Sequence, residues 1–134
     1  MRFLHYGEMH SVIRITGPQH NYLAVTFATE GQSPEPQAVE LPPQGGCEHR
    51  SLDRAQILAS VLAGVAEGNR ECGSDFAVAS IQFVANDTGP EKVYQYMAKL
   101  LVEETLRHQS EQRANFEKLM AKGQDGKSPL DKTT

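Results

Sequence analysis

Two runs of alternating apolar residues, separated by one short turn, restrict this chain to folds that contain a β-hairpin. The first run, His10 to Thr16, is rich in β-branched side chains, with Val12, Ile13 and Ile15 apolar. The second, Tyr22 to Thr29, places Leu23, Val25 and Phe27 on one face and Tyr22, Ala24, Thr26 and Ala28 on the other. Between them Gly17-Pro18-Gln19-His20-Asn21 supplies turn residues in a loop of hairpin length.

The rest of the pattern builds around that hairpin. Arg2 to Tyr6 reads as a short first strand that ends in a turn at Gly7-Glu8. Residues 37–41, with Val39 and Leu41 on one face, form a further strand; Pro42 and Pro43 stop it, which suits a sheet edge. Phe76 to Ala85 is apolar or small on both faces, as a central strand requires. Ser51 or Asp53 can cap a helix that carries Ile57, Leu58, Val61, Leu62 and Val65 at helical spacing, with Gly68 and Asn69 as its stop. Ala59 with Ala63, and Ser60 with Gly64, are small residues four apart that let this helix lie close on a neighbour. Thr88-Gly89-Pro90-Glu91 has the spacing of a capping box, and Val93, Met97, Leu100, Leu101 and Leu106 continue as a second helix.

The expected order is therefore β-β-β-β-α-β-α: an α+β two-layer sandwich with a mostly antiparallel sheet and two helices on one face. In its β(3)-α-β-α arrangement this order resembles the ribosomal protein S5 domain 2-like fold. The resemblance is one of element order and implies no activity. Residues 1–108 are expected to form the domain, 109–122 a helical extension and 123–134 a disordered tail. The extension is polar until Phe116, Leu119 and Met120 form a small apolar patch at i, i+3, i+4.

Charge excludes some classes of function. The chain has 134 residues and a net charge of −4, with a pI near 5.7. No basic stripe of the kind that neutralises phosphates is present, so a nucleic-acid partner is not expected. No apolar run reaches the roughly 20 residues of a bilayer span, so no membrane role is expected. The N-terminal residues lack the apolar stretch of a secretory signal. The expected setting is the cytoplasm, with Cys47 and Cys72 as free thiols.

Few residues point to chemistry. In the loop 44–51, Gly45 and Gly46 allow close backbone approach. Arg50 and Ser51, at the start of the helix that follows, could hold an anion. Cys47 and His49 are of the types that make a nucleophile and its base, yet no phosphate-loop signature accompanies them. His5, Glu8 and His10 are metal-ligand types. On an extended strand Glu8 and His10 share a face and His5 falls on the other, unless a turn at Gly7 intervenes. No serine stands in a nucleophile elbow. No cofactor and no metal is expected. The sequence points to a non-catalytic protein-binding or adaptor module that pairs with itself or with a protein partner. Its surfaces are the open sheet face, where Arg14, Tyr22 and Thr26 are expected, and the C-terminal helix with Phe116, Leu119 and Met120. The alternative is a small enzyme or anion-binding domain at the loop 44–51, with His20 and Asp87 converging on it if the strand order allows.

Overall fold

Alternation of period 2 gives way to period 3.6 twice along the chain, and the structure, a computed structural model, follows that rhythm. It describes residues 1–16, 19–28, 35–43, 52–85 and 87–124. Five strands and two helices run in the order β1 (Arg2–Tyr6), β2 (Met9–Thr16), β3 (Gln19–Phe27), β4 (Gln37–Leu41), α1 (Arg54–Cys72), β5 (Val78–Val84) and α2 (Val93–Gln124). The chain divides into two compact units, Met1–Glu104 and Thr105–Thr134.

In the first unit the strands form one sheet in the order β1-β2-β3-β5-β4. All neighbours are antiparallel except β4 and β5. The hairpin expected from the two alternating runs is β2-β3, and its ladder reaches as far as Thr16 opposite Gln19. His20 and Asn21, read from sequence as turn residues, are therefore strand residues. The N-terminal hairpin turns at Gly7 and Glu8; Gly7 takes a φ of +62°, a conformation side chains disfavour.

Directly opposite residues share a face. One face therefore carries Phe3, His5, His10, Val12, Arg14, Asn21, Leu23, Val25, Ala38, Glu40, Ile81 and Phe83. Both helices of this two-layer arrangement lie on that inner face. Val12, Leu23, Val25, Ile81 and Phe83 are fully buried there, with Ile57 and Val61 of α1 and Tyr94, Met97, Ala98 and Leu101 of α2.

Local chemistry sets the helix ends. Asp53 caps α1, its carboxylate accepting from the Gln56 N–H at 3.2 Å. Leu52 and Ile57 occupy the two positions of a hydrophobic staple, and both are buried. α1 does not stop at Gly68 as its sequence suggests. It runs to Cys72 and closes on Gly73 in the left-handed conformation, φ +69°. Gly68 serves packing instead: an added Cβ would come within 2.8 Å of the Val102 Cβ. At Gly64 it would strike the Gln95 carbonyl oxygen and approach the Ala98 Cβ to 2.9 Å. The close-packing stripe is thus Gly64 and Gly68 against α2, while Ala59 and Ala63 face solvent.

Thr88 does not cap α2. Its N–H donates to the His20 carbonyl and its Oγ1 accepts from the His20 N–H, which prolongs the strand pairing. The helix begins at Val93, after a cis Gly89–Pro90 bond and a turn at Glu91-Lys92. Glu91 faces the other helix, its Oε1 3.5 Å from the Asp53 N–H.

Candidate functional site

Four places hold the residues that sequence reading singled out or should have. The first is where the start of β3 meets the segment after β5. β3 and β5 are antiparallel neighbours, so this end of the sheet gathers His20, Asn21, Asp87 and Thr88. Asp87 is buried and accepts three hydrogen bonds: from the Tyr22 N–H at 2.6 Å, from the Tyr94 hydroxyl at 2.6 Å, and from His20 Nδ1 at 3.0 Å. Asn21 Nδ2 donates to the Thr88 carbonyl at 2.7 Å, and Arg14 donates to Asn21 Oδ1 at 3.2 Å.

Burial pushes the Tyr94 hydroxyl well above the ordinary tyrosine range, and its hydrogen bond to the Asp87 carboxylate pushes it the same way. Tyr94 therefore remains a donor throughout the physiological range. An aspartate holding a histidine Nδ1 is half of a base-and-orienter arrangement. Here the same carboxylate is also fixed by a backbone N–H and a phenol, so it ties β3, the β5-α2 connection and α2 together. His20 and Asp87 converge as the ligand-site reading requires. Gly45, Gly46, Cys47, His49, Arg50 and Ser51, the rest of that site, lie outside the described residues.

The second place is the β1-β2 hairpin. The turn at Gly7 puts His5 directly opposite His10, on one face, and not on opposite faces as one continuous strand would. Their Nδ1 atoms are 2.7 Å apart. His10 is buried, its ring 5.6 Å from that of Phe27, which stacks at 4.6 Å on Phe76. Glu8 is exposed in the turn. Among the described residues no three His, Cys, Asp or Glu side chains form a metal-binding group.

The third place is the outer face of the sheet. Register assigns it Arg2, Leu4 and Tyr6; Met9, Ser11, Ile13 and Ile15; His20, Tyr22, Ala24 and Thr26; Ser80, Gln82 and Val84; Gln37, Val39 and Leu41. Tyr22 and Thr26 are where the sequence put them. Arg14 is not: it shares the parity of Val12, lies on the inner face and bonds to Asn21. Among the strand residues of the outer face Arg2 is the only Lys, Arg, Asp or Glu. Tyr6 is 82% exposed, Ile15 70% and Leu4 55%. Sequence alternation locates these residues on a common side, but only the strand order assembles them into one face, opposite the one on which the described helices of the first unit pack.

The fourth place is the second unit. Every residue from Gln109 to Lys122 is exposed, and Phe116, Leu119 and Met120 are each more than half exposed. Arg107 and Glu111 pair one turn apart at 2.6 Å. Elsewhere Cys72 is an exposed free thiol, and no helix among the described residues is long and apolar enough to cross a membrane. Comparison with family models, with curated proteins and with solved structures returns no match, so the site is read from its own chemistry.

Proposed function

We propose that this chain is a non-catalytic protein-binding module that pairs with a second copy of itself through the outer face of its sheet. The observation that carries the reading is the near absence of charge on that face. A solvated antiparallel face ordinarily alternates to charged and polar side chains. This one offers Leu4, Tyr6, Ile15 and Val39 to solvent and holds one formal charge, on the outermost strand. A twofold contact sets each residue against itself or its symmetry mate. A charged face would repel its own copy, and this face would not.

Its size also suits the task. Strands about 4.8 Å apart and 8 or 9 residues long at the hairpin give a face roughly 20 by 25 Å. That outline of about 500 Å² is more than half of the ~800 Å² each partner contributes to a standard interface. Stacked sheets pack about 10 Å apart, which leaves room for Leu, Ile and Tyr side chains to interdigitate. Phe116, Leu119 and Met120 supply a second, smaller contact surface. The exposed thiol of Cys72 suits the reducing cytoplasm.

The ligand-binding reading draws on one feature, the convergence of His20 and Asp87. It is the weaker because Asp87 has already committed its carboxylate to three donors. Light scattering over a series of concentrations tests the proposal. The expected mass is about twice the 14.8 kDa of the chain, reverting to one chain in the double variant Tyr6→Glu/Ile15→Glu with unchanged melting. A wild-type chain that stays monomeric at every concentration overturns it.

A further inference from the structure

We infer that His5 and His10 form a two-imidazole clamp for a borderline transition-metal cation, Zn²⁺ or Cu²⁺. The two rings stand opposite each other on neighbouring antiparallel strands, with centroids 5.0 Å apart and planes at 63°. Both present the same atom, Nδ1, and these atoms are 2.7 Å apart. Only one hydrogen fits between them, so one ring donates and the other accepts.

A cation can take the place of that shared hydrogen. Imidazole suits Zn²⁺ and Cu²⁺, whereas Mg²⁺ and Ca²⁺ require oxygen ligands. With metal–nitrogen bonds of about 2.0–2.1 Å and a tetrahedral angle, the two nitrogens would stand about 3.3 Å apart. The rings must therefore part by roughly 0.6 Å. The geometry says which side yields. His10 is buried against the Phe27 ring, itself backed by Phe76. His5 is only half-buried and belongs to β1, an edge strand with one neighbour.

No third His, Cys, Asp or Glu among the described residues joins the pair, so water would fill the remaining positions from the His5 side. Below the ordinary imidazole range protons compete directly, so affinity falls as pH falls. The bound cation would clip β1 to β2.

Calorimetric titration of the full chain with Zn²⁺ alone tests the clamp, with Mg²⁺ as the contrast. One Zn²⁺ per chain is expected, with no Mg²⁺ signal. Either His5→Ala or His10→Gln should weaken Zn²⁺ by about tenfold or more. Ring resonances of His5 and His10 should shift on Zn²⁺ addition, and Zn²⁺ should raise the melting temperature of the wild type but not of His5→Ala. His5 lies on an edge strand, so its variant retains the test if His10→Gln does not fold. Equal Zn²⁺ affinity in wild type and His5→Ala, or shifts confined to His20, His49 and His108, would overturn the assignment.

Discussion

On the inner face of the sheet Arg14 and Glu40 each have a polar partner, Asn21 and Arg54. There Val12, Leu23, Val25, Ile81 and Phe83 are shut away from solvent. On the outer face the proportions are reversed: the strands hold one charge, yet Leu4, Tyr6 and Ile15 are more than half exposed. Apolar side chains stand on both faces, although Ser11, Thr26, Ser80, Gln82 and Gln37 also line the outer one. What separates the faces is cover: among the described residues of the first unit the helices pack on the inner face. The two sheet edges differ in the same spirit. β4 is bounded by Pro36 and Pro42 and tied to α1 through Glu40 and Arg54, whereas β1 has neither proline nor helix contact of that kind.

Prying the helices off the inner face has the largest expected effect. Gly64→Ala places a Cβ against the Gln95 carbonyl, which belongs to backbone and cannot rotate away. The helices must separate, at a cost of about 3 kcal/mol or more. Gly73→Ala is the control: it meets nothing within 4 Å and costs about 1 kcal/mol for its left-handed conformation. Urea unfolding of both decides the point. Equal losses would mean that the two helices do not pack through Gly64.

Next in size is the Asp87 tie. Asp87→Asn keeps the shape, and its amide oxygen can still serve the Tyr22 N–H and the Tyr94 hydroxyl, but both lose a charged acceptor and the amide nitrogen turns toward His20 Nδ1, donor against donor. A loss of about 2–3 kcal/mol is expected. Tyr94→Phe removes one bond and costs about 1 kcal/mol; it also changes the pH profile. The folded state raises the Tyr94 pKa above its ordinary 10.0. The unfolded chain therefore sheds this proton above pH 10 while the folded chain retains it, and stability falls as pH rises. The slope is about 1.4 kcal/mol per pH unit for this one group. Below pH 10 its contribution is complete. Thermal unfolding of wild type and Tyr94→Phe between pH 8 and 11.5 should give stabilities that meet roughly half a unit above pH 10 and then cross, and parallel curves would remove Tyr94 from the tie.

Much of the fold was legible in the residues, and the reasons are physical. β4 was readable to the residue because Pro42 and Pro43 cannot continue a ladder; the start of α1 was narrowed to two caps, Ser51 or Asp53, of which Asp53 serves. Thr88 and Gly68 misled for a common reason. Each has a local meaning, a cap and a stop, but tertiary partners claimed them: His20 for Thr88, Val102 for Gly68. Arg14 was set on the wrong face because register, not residue type, decides faces. The meeting of His20 with Asp87 needed the adjacency of β3 and β5, which pairs residues 67 apart. No local pattern encodes that. His5 and His10 were visible as types, and only the Gly7 turn brought them together.

The smallest expected effect concerns the second unit. Phe116, Leu119 and Met120 are more than half exposed, so truncating them forfeits little burial. The triple variant Phe116→Ser/Leu119→Ser/Met120→Ser should shift unfolding by no more than about 0.5 kcal/mol. If the outer face carries the pairing, its mass by light scattering stays that of the wild type. An extended helix with only three large apolar side chains offers far less than the ~800 Å² per partner of a stable interface, whereas the outline of the sheet face is more than half of it. Should the triple variant instead become monomeric while Tyr6→Glu/Ile15→Glu remains paired, the roles exchange. The uncharged face would then be the part free for a different protein, and the helix the element that recognises its own copy.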